Sequence, residues 1–69
     1  MISNYFVVGM HCDHCVQAVT EEVSAIPGVQ KAEVELEGGT LAVTSDQQID
    51  LSLVEAAVDE AGGYTVSAA

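Results

Sequence analysis

The side chains that could do chemistry in this sequence are concentrated in residues 9–15, which read Gly-Met-His-Cys-Asp-His-Cys. This segment contains both cysteines and both histidines of the chain. Two thiolates three positions apart, at Cys12 and Cys15, suit a soft ion of low coordination number such as Cu(I). Mg²⁺ and Ca²⁺ require cages of oxygen ligands, which this segment does not provide. The residue types and their spacing therefore predict a site for a soft metal ion.

A single C-x-x-C pair is also found in redox enzymes and in one half of many zinc sites. A thiol-disulfide oxidoreductase is disfavoured because thioredoxin-like enzymes carry aromatic and proline residues around the pair. This chain has no Trp, and its one proline is Pro27. A structural zinc site is disfavoured because the donors of residues 11–15 are too close along the chain to surround one ion tetrahedrally. The carboxylate of Asp13 suits Zn²⁺ better than Cu(I) and is the main hint of zinc.

The pattern of apolar residues predicts the elements that position this segment. Residues 2–8 are rich in β-branched and aromatic side chains and stop at Gly9, which predicts a strand. Apolar side chains then recur at steps of three and four, which predicts a helix that Pro27 and Gly28 end. The apolar face of that helix is Val16, Val19, Val23 and Ile26. Cys15 is therefore expected in the first helical turn, where unpaired backbone N–H groups and the helix dipole favour a thiolate.

Residues 29–37 alternate between apolar and acidic side chains over most of their length, as in a strand with one face in the core and one in water. The core side of this strand is predicted at Ala32, Val34 and Leu36. Gly38 and Gly39 permit the positive φ angles of a tight turn, after which residues 40–44 are predicted to pair back as a hairpin.

A second helix is predicted between Asp50, its candidate N-cap, and the stop signal of Gly62 and Gly63. Its apolar face is Leu51, Val54, Val58 and Ala61, which repeats the spacing of the first helix 35 residues later. Residues 64–67 are predicted to form a last short strand.

The predicted order of elements, β-α-β-β-α-β, is typical of the α+β ferredoxin-like fold, a four-stranded antiparallel sheet with both helices on one face. Its small core leaves little room for a buried pocket, which disfavours catalysis on a small molecule.

Length and charge restrict the class of protein further. The 69 residues suffice for a single domain, residues 1–69, and their 49% hydrophobic content predicts that it folds. Eleven acidic side chains against Lys31 give a net charge of −10, which disfavours nucleic acids and anionic membranes as partners. The sequence has neither an apolar run long enough for membrane insertion nor the regions of a signal peptide. We therefore expect a cytoplasmic protein.

Residues 9–15 resemble the G-M-x-C-x-x-C metal loop of the heavy-metal-associated domains, and the predicted element order is similar to that family's fold over nearly the whole chain. The resemblance implies that Cys12 and Cys15 hold the metal. The family includes copper chaperones, metal-binding domains of P-type ATPases that transport copper, zinc or cadmium, and mercury-binding proteins. His14, directly before the second cysteine, and residues 62–64, Gly-Gly-Tyr, look like the corresponding features of bacterial copper chaperones.

Four other side chains are candidates for a supporting role in the metal site. Met10 is expected to pack beneath the loop and fix the two cysteines, rather than to act as a thioether ligand. His14 is expected to be solvated or to stabilise the neighbouring thiolate as an imidazolium. His11 replaces the small Ser or Thr usual in the family, and it is either solvated or an additional ligand. Tyr64 either covers the sheet edge as a strand residue or shields the metal from water, because a tyrosine lies close to the metal in the similar chaperones.

The resemblance implies a copper chaperone that holds Cu(I) and passes it by thiolate exchange to the metal-binding domain of a copper-transporting P-type ATPase. Two alternatives stay open: the chain is itself such an ATPase domain, or it binds zinc or cadmium. Met1 begins directly at the first strand and Ala69 ends directly after the last, which favours a free-standing chaperone. We expect the apo protein to be a monomer, and a metal-bridged dimer is a further possibility where the bound cation needs three or four sulfur ligands. We expect no enzymatic activity, because no general base or substrate pocket is indicated.

Overall fold

The fold is built from four strands and two helices, and the computed structural model describes residues 1–69. In chain order they are β1 (Ile2–Val8), α1 (Asp13–Ser24), β2 (Val29–Glu35), β3 (Thr40–Ser45), α2 (Leu51–Gly62) and β4 (Thr65–Ala68). The strands form one antiparallel sheet in the order β2-β3-β1-β4. This arrangement confirms the predicted ferredoxin-like α+β fold.

The core lies between the two helices and one face of the sheet. In the central strands β1 and β3 alternate side chains are buried, as expected where one sheet face is covered and the other is not. The buried apolar residues are Tyr5, Val7, Val19, Val23, Ile26, Leu41, Val43, Ile49, Val54, Ala57 and Val58. Each helix has 12 residues, and neither combines the length and apolar content that a membrane span requires.

Helix α1 ends at Ser24, so the prediction that it continues to Ile26 was wrong. Helical backbone is disfavoured for the residue before a proline, because that residue clashes with the proline ring. The chain therefore leaves the helix at Ala25, and the Ile26 N–H donates to the Val23 carbonyl at 3.1 Å. Ile26 still reaches the core, where it is 8% exposed, from the connection to β2.

The turn between β2 and β3 is longer than predicted. β2 ends at Glu35, and Leu36, which was predicted on the core side of the strand, is 38% exposed within the turn. The Gly39 N–H closes this turn by donating to the Leu36 carbonyl at 3.2 Å. Gly38 and Gly39 have φ angles of 87° and 62°, so the predicted positive angles at both glycines are confirmed.

Helix α2 begins after Asp50 and ends before Gly63, whose φ of 73° makes it the C-cap, as predicted. The Asp50 side chain makes no capping hydrogen bond. The prediction that Leu51 lies on the apolar face was wrong, since Leu51 is 39% exposed. Helical side chains lean toward the N-terminus, so the first residue of a helix extends past its end into solvent. The buried face is instead formed by Val54, Ala57 and Val58.

Candidate metal site

Two connections meet at one end of the sheet and form the candidate site. β1 ends at Val8, and residues 9–12 lead from it into α1. Val8 pairs with Thr65, the first residue of β4, so Tyr64 lies beside this loop. The last strand begins one residue later than predicted, which leaves Tyr64 in the connection between α2 and β4 rather than in the sheet.

Cys12 and Cys15 lie at the start of α1, which brings their sulfur atoms together. Cys12 is the N-cap of the helix, and its carbonyl accepts a hydrogen bond from the Cys15 N–H at 3.0 Å. The two Sγ atoms are 3.6 Å apart, and both thiols are free. Cys12 is exposed and Cys15 is half-buried. The sulfur of Cys12 is therefore more accessible to solvent than the sulfur of Cys15.

The surroundings of Cys15 favour its thiolate form. A hydrogen bond from the backbone of His11 lowers its pKa most, and hydrogen bonds from the Tyr64 hydroxyl and the Cys12 thiol lower it further. Burial acts in the opposite direction but more weakly, and the pKa of Cys15 falls from an ordinary 9.0 to about 7. The thiolate is the form that binds metals, and a large fraction of the Cys15 thiol is ionised at neutral pH.

Tyr64 and Met10 connect the loop to the core. Both side chains are partly buried and pack against the core residues. The interaction of the Tyr64 hydroxyl with the Cys15 sulfur is the main cause that raises the pKa of Tyr64. The Tyr64 side chain therefore lies beside the Cys15 sulfur.

The two histidines and the aspartate of the loop face solvent. His11, Asp13 and His14 are all exposed. Nowhere in the chain are three or more His, Cys, Asp or Glu side chains arranged to hold one metal ion. The geometry therefore offers an ion two sulfur ligands and no third side chain of these types.

Neither of the two surface cavities belongs to this site. A cavity of about 340 Å³ is lined by residues 27–28 and 46–50, in the connections at the other end of the sheet, and by Leu53 of α2. A cavity of about 350 Å³ lies on the uncovered face of the sheet, beside Phe6, Glu33 and Glu35. The two thiols lie at the surface at the start of α1 rather than in a pocket, which leaves the pair accessible to another protein.

Two glycines in contact with Tyr64 were missed by the reasoning from sequence. A Cβ at Gly9 would lie 2.9 Å from Cδ1 of the Tyr64 ring, and a Cβ at Gly62 would lie 2.8 Å from its Cζ. The available signal was the doublet of Gly62 and Gly63, because one glycine suffices to end a helix. The sequence analysis used both glycines only as a helix stop, a role that Gly63 fills as the C-cap without Gly62.

A four-stranded sheet, two helices on one face and an exposed C-x-x-C loop define a class of small domains that present a thiol pair at one end. The family model described as heavy-metal-associated domain matches residues 4–65. This chain belongs to the heavy-metal-associated domain family.

Curated and solved relatives include both chaperones and a transporter domain. The protein named copper chaperone CopZ of Staphylococcus aureus is 39% identical over 57 residues, which cover 81% of this chain and 84% of the relative. A solved structure named CopZ metallochaperone is 34% identical, with a TM-score of 0.86, and the match covers 97% of this chain and 100% of the other. The Cu(I)-loaded N-terminal domain of a potential copper-translocating P-type ATPase from Bacillus subtilis is 25% identical, with a TM-score of 0.82 and coverage of 97% and 84%.

Proposed function

We propose that this chain is a copper metallochaperone, which holds Cu(I) between Cys12 and Cys15 and passes it to a partner protein. The sulfur pair is the main support, since the two Sγ atoms are 3.6 Å apart and no third donor side chain accompanies them. Two metal–sulfur bonds of about 2.3 Å each span about 4.6 Å in line, so an opening of about 1 Å lets both sulfurs bind one ion.

The donor set favours Cu(I) over Zn(II). Structural Zn(II) sites are almost always tetrahedral, with four ligands. Here the exposed His11, Asp13 and His14 do not join the two sulfurs in one cluster. A soft monovalent ion is satisfied by two thiolates. Zn(II) or Cd(II) would need ligands from a second molecule, so we propose a monomer for the apo protein and a metal-bridged dimer only where such ions are bound.

The difference in exposure between the sulfurs gives the transfer step a direction. A two-coordinate ion has open positions, so a thiolate of the partner forms its copper–sulfur bond before a bond to the chaperone breaks. The exposed Cys12 is the sulfur that the partner approaches, and its bond to copper breaks first. Cys15, which is half-buried beside Tyr64, holds the ion until a second partner thiolate replaces it. Copper stays monovalent throughout, because ligands are exchanged and no electron moves.

The partner that we propose is the metal-binding domain of a copper-transporting P-type ATPase, met in the cytoplasm. The similarity of the chain to a copper chaperone and to an ATPase N-terminal domain supports this pairing. The net charge of −10 favours a docking face on the partner that is basic or neutral near its metal site. The chain acts as a single domain over residues 1–69, as a carrier rather than an enzyme.

Anaerobic competition between the reduced protein and a chromogenic Cu(I) chelator tests this function. We expect the wild-type protein to withdraw one Cu(I) per chain, and the Cys12→Ser and Cys15→Ser variants to lose most of that ability. His11→Ala and His14→Ala are matched controls in the same loop, and they should compete as the wild type does. Undiminished competition by the double variant Cys12→Ser/Cys15→Ser would refute the proposal.

A receiving domain of an ATPase is the second candidate, and the similarity to the Bacillus subtilis domain favours it. The size of the native polypeptide separates the two functions. An immunoblot of cell extract should show a band near 7.2 kDa for a free-standing chaperone. A band of the size of a whole transporter would instead identify the chain as an ATPase domain.

A further inference from the structure

Gly62 differs from every other glycine of the chain in its backbone conformation. Of the six glycines, five have the positive φ that a side chain disfavours, and Gly62 is the exception. It is the last residue of α2, where an alanine would fit the backbone and would strengthen the helix. The backbone therefore gives no reason for a glycine at this position.

The Tyr64 ring occupies the space that a side chain at Gly62 would fill. A Cβ at this position would lie 2.8 Å from Cε2, 2.8 Å from Cζ and 2.9 Å from the hydroxyl oxygen of Tyr64. At the opposite edge of the ring, a Cβ at Gly9 would lie 2.9 Å from Cδ1. Carbon atoms pack best at about 3.5 to 4.0 Å, so neither side chain could be added with the ring in place. Gly9 and Gly62 thus form a slot, the glycine slot, that holds the ring at both edges.

The glycine slot determines what Tyr64 covers. With its ring held there, the Tyr64 hydroxyl meets the sulfur of Cys15, while Cys12 stays exposed. A ring beside Cys15 takes the volume through which water or an external thiol would approach a metal ion from that side. The approach past Cys12 is left open.

We propose that Gly62 is a positioning residue, which docks Tyr64 over Cys15 and thereby keeps external ligands away from one side of the metal site. The inference rests on the proposed Cu(I) site and adds to it the residue that limits the coordination number. Alanine at position 62 is a clean probe, because the atoms that it would meet are at the far end of a side chain that can rotate away. Gly9 offers no such probe, since its φ of 114° strains any side chain.

The experiment compares four proteins: wild type, Gly62→Ala, Tyr64→Ala and the double variant. In the reduced apo proteins, NMR measures the nuclear Overhauser contacts between the Tyr64 ring protons and the Gly9 Hα. We expect Gly62→Ala to lose these contacts and to keep those within α2 and the core.

In the Cu(I)-loaded proteins, native mass spectrometry measures the fraction of protein that carries one bound glutathione. We expect that fraction to rise several-fold in Gly62→Ala and in Tyr64→Ala, with no further rise in the double variant.

Two results would overturn the inference. One is a Tyr64 ring that keeps its contacts with Gly9 in Gly62→Ala. The other is a rise in the glutathione adduct that Gly62→Ala causes equally when Tyr64 is already alanine, because the effect would then act through the helix and not through the ring. If the wild type bound no Cu(I), the proposed function would fail, and the NMR comparison of the apo proteins would still support or overturn the positioning of Tyr64 by Gly62.

Discussion

The Tyr64 hydroxyl lies close to the sulfur of Cys15, and the pKa values of the two groups move in opposite directions. The pKa of Cys15 falls to about 7, while the pKa of Tyr64 rises. A shared hydrogen bond explains both shifts, because it stabilises the ionised thiol and the protonated phenol together. This contact links the connection before β4 to the loop after β1, and it distinguishes Cys15 from the exposed Cys12.

Cys15 should react as a thiolate at unusually low pH. In the Cys12→Ser variant, the rate of alkylation by iodoacetamide should rise with pH about a midpoint slightly above 7, because the substitution removes one of the weaker causes of the lowered pKa. Mass spectrometry of the alkylated chain measures the rate. A midpoint at the ordinary 9.0 would contradict the described surroundings of Cys15.

The lowered pKa of Cys15 also predicts how the stability of the reduced apo protein depends on pH. The folded-state pKa of about 7 lies below the ordinary 9.0, so ionisation of Cys15 favours the folded state. This contribution is complete above pH 9.0 and is lost as the pH falls through about 7. Urea midpoints measured across that range should therefore rise with pH more in the wild type than in Cys15→Ser. An identical pH dependence in both proteins would contradict the prediction.

Removal of the Tyr64 hydroxyl should raise the pKa of Cys15. Tyr64→Phe keeps the ring between Gly9 and Gly62 but no longer donates to the sulfur, so the thiolate loses one of its stabilising hydrogen bonds. Absorbance of the thiolate near 240 nm, followed against pH, measures the change. Tyr5→Phe is the matched control, because Tyr5 lies in the core and does not contribute to the Cys15 shift. An unchanged titration in Tyr64→Phe would show that the hydroxyl does not reach the sulfur.

Met10 should support the loop by packing and not by coordination. Its side chain is partly buried against the core, so Met10→Leu, which keeps a similar apolar volume, should preserve Cu(I) affinity within about a factor of two. Met10→Ala should weaken Cu(I) binding modestly, because the loop loses its contact with the core. Chelator competition measures both variants. A loss in Met10→Leu as large as that in Cys15→Ser would identify the thioether as a ligand.

The core and the turn should respond differently to the same substitution. Leu41 is 1% exposed, so Leu41→Ala should lower the free energy of unfolding by about 2 to 5 kcal/mol. Leu36 is 38% exposed in the β2–β3 turn, and Leu36→Ala should change it by less than about 0.5 kcal/mol. Urea unfolding of the apo proteins measures both values. Equal losses would contradict the assignment of Leu36 to the turn.

The order of elements was predictable because its signals are local. Apolar spacing identified both helices, and Gly38 and Gly39 in the β2–β3 turn and Gly63 after α2 have the positive φ that the sequence indicates. Leu36 and Leu51 were placed wrongly for one common reason. Each continues the apolar period of its element, but Leu36 lies just beyond the end of β2 and Leu51 is the first residue of α2, and both side chains are exposed there. The period of apolar residues shows which face of a helix or strand is buried, but it does not show at which residue along that face burial ends.

The candidate site was predictable in its reactive residues but not in its arrangement. Cys12 and Cys15 are indicated by residue type and spacing, because side chains three apart at a helix start lie on the same face. Tyr64 contacts Gly9 and Cys15, which are about fifty residues away in the sequence. It also contacts Gly62, which lies on the other side of the turn at Gly63. The contacts with Gly9 and Cys15 depend on the pairing of β1 with β4, which no local pattern reveals.

X-ray absorption at the copper edge, on the reduced protein loaded with one Cu(I) per chain, tests the central claim most directly. It counts the ligand atoms and distinguishes sulfur from nitrogen. The account predicts two sulfur ligands and no imidazole nitrogen, in a monomer at low protein concentration. A coordination shell that contains histidine nitrogen, or more than two sulfur atoms, would contradict it.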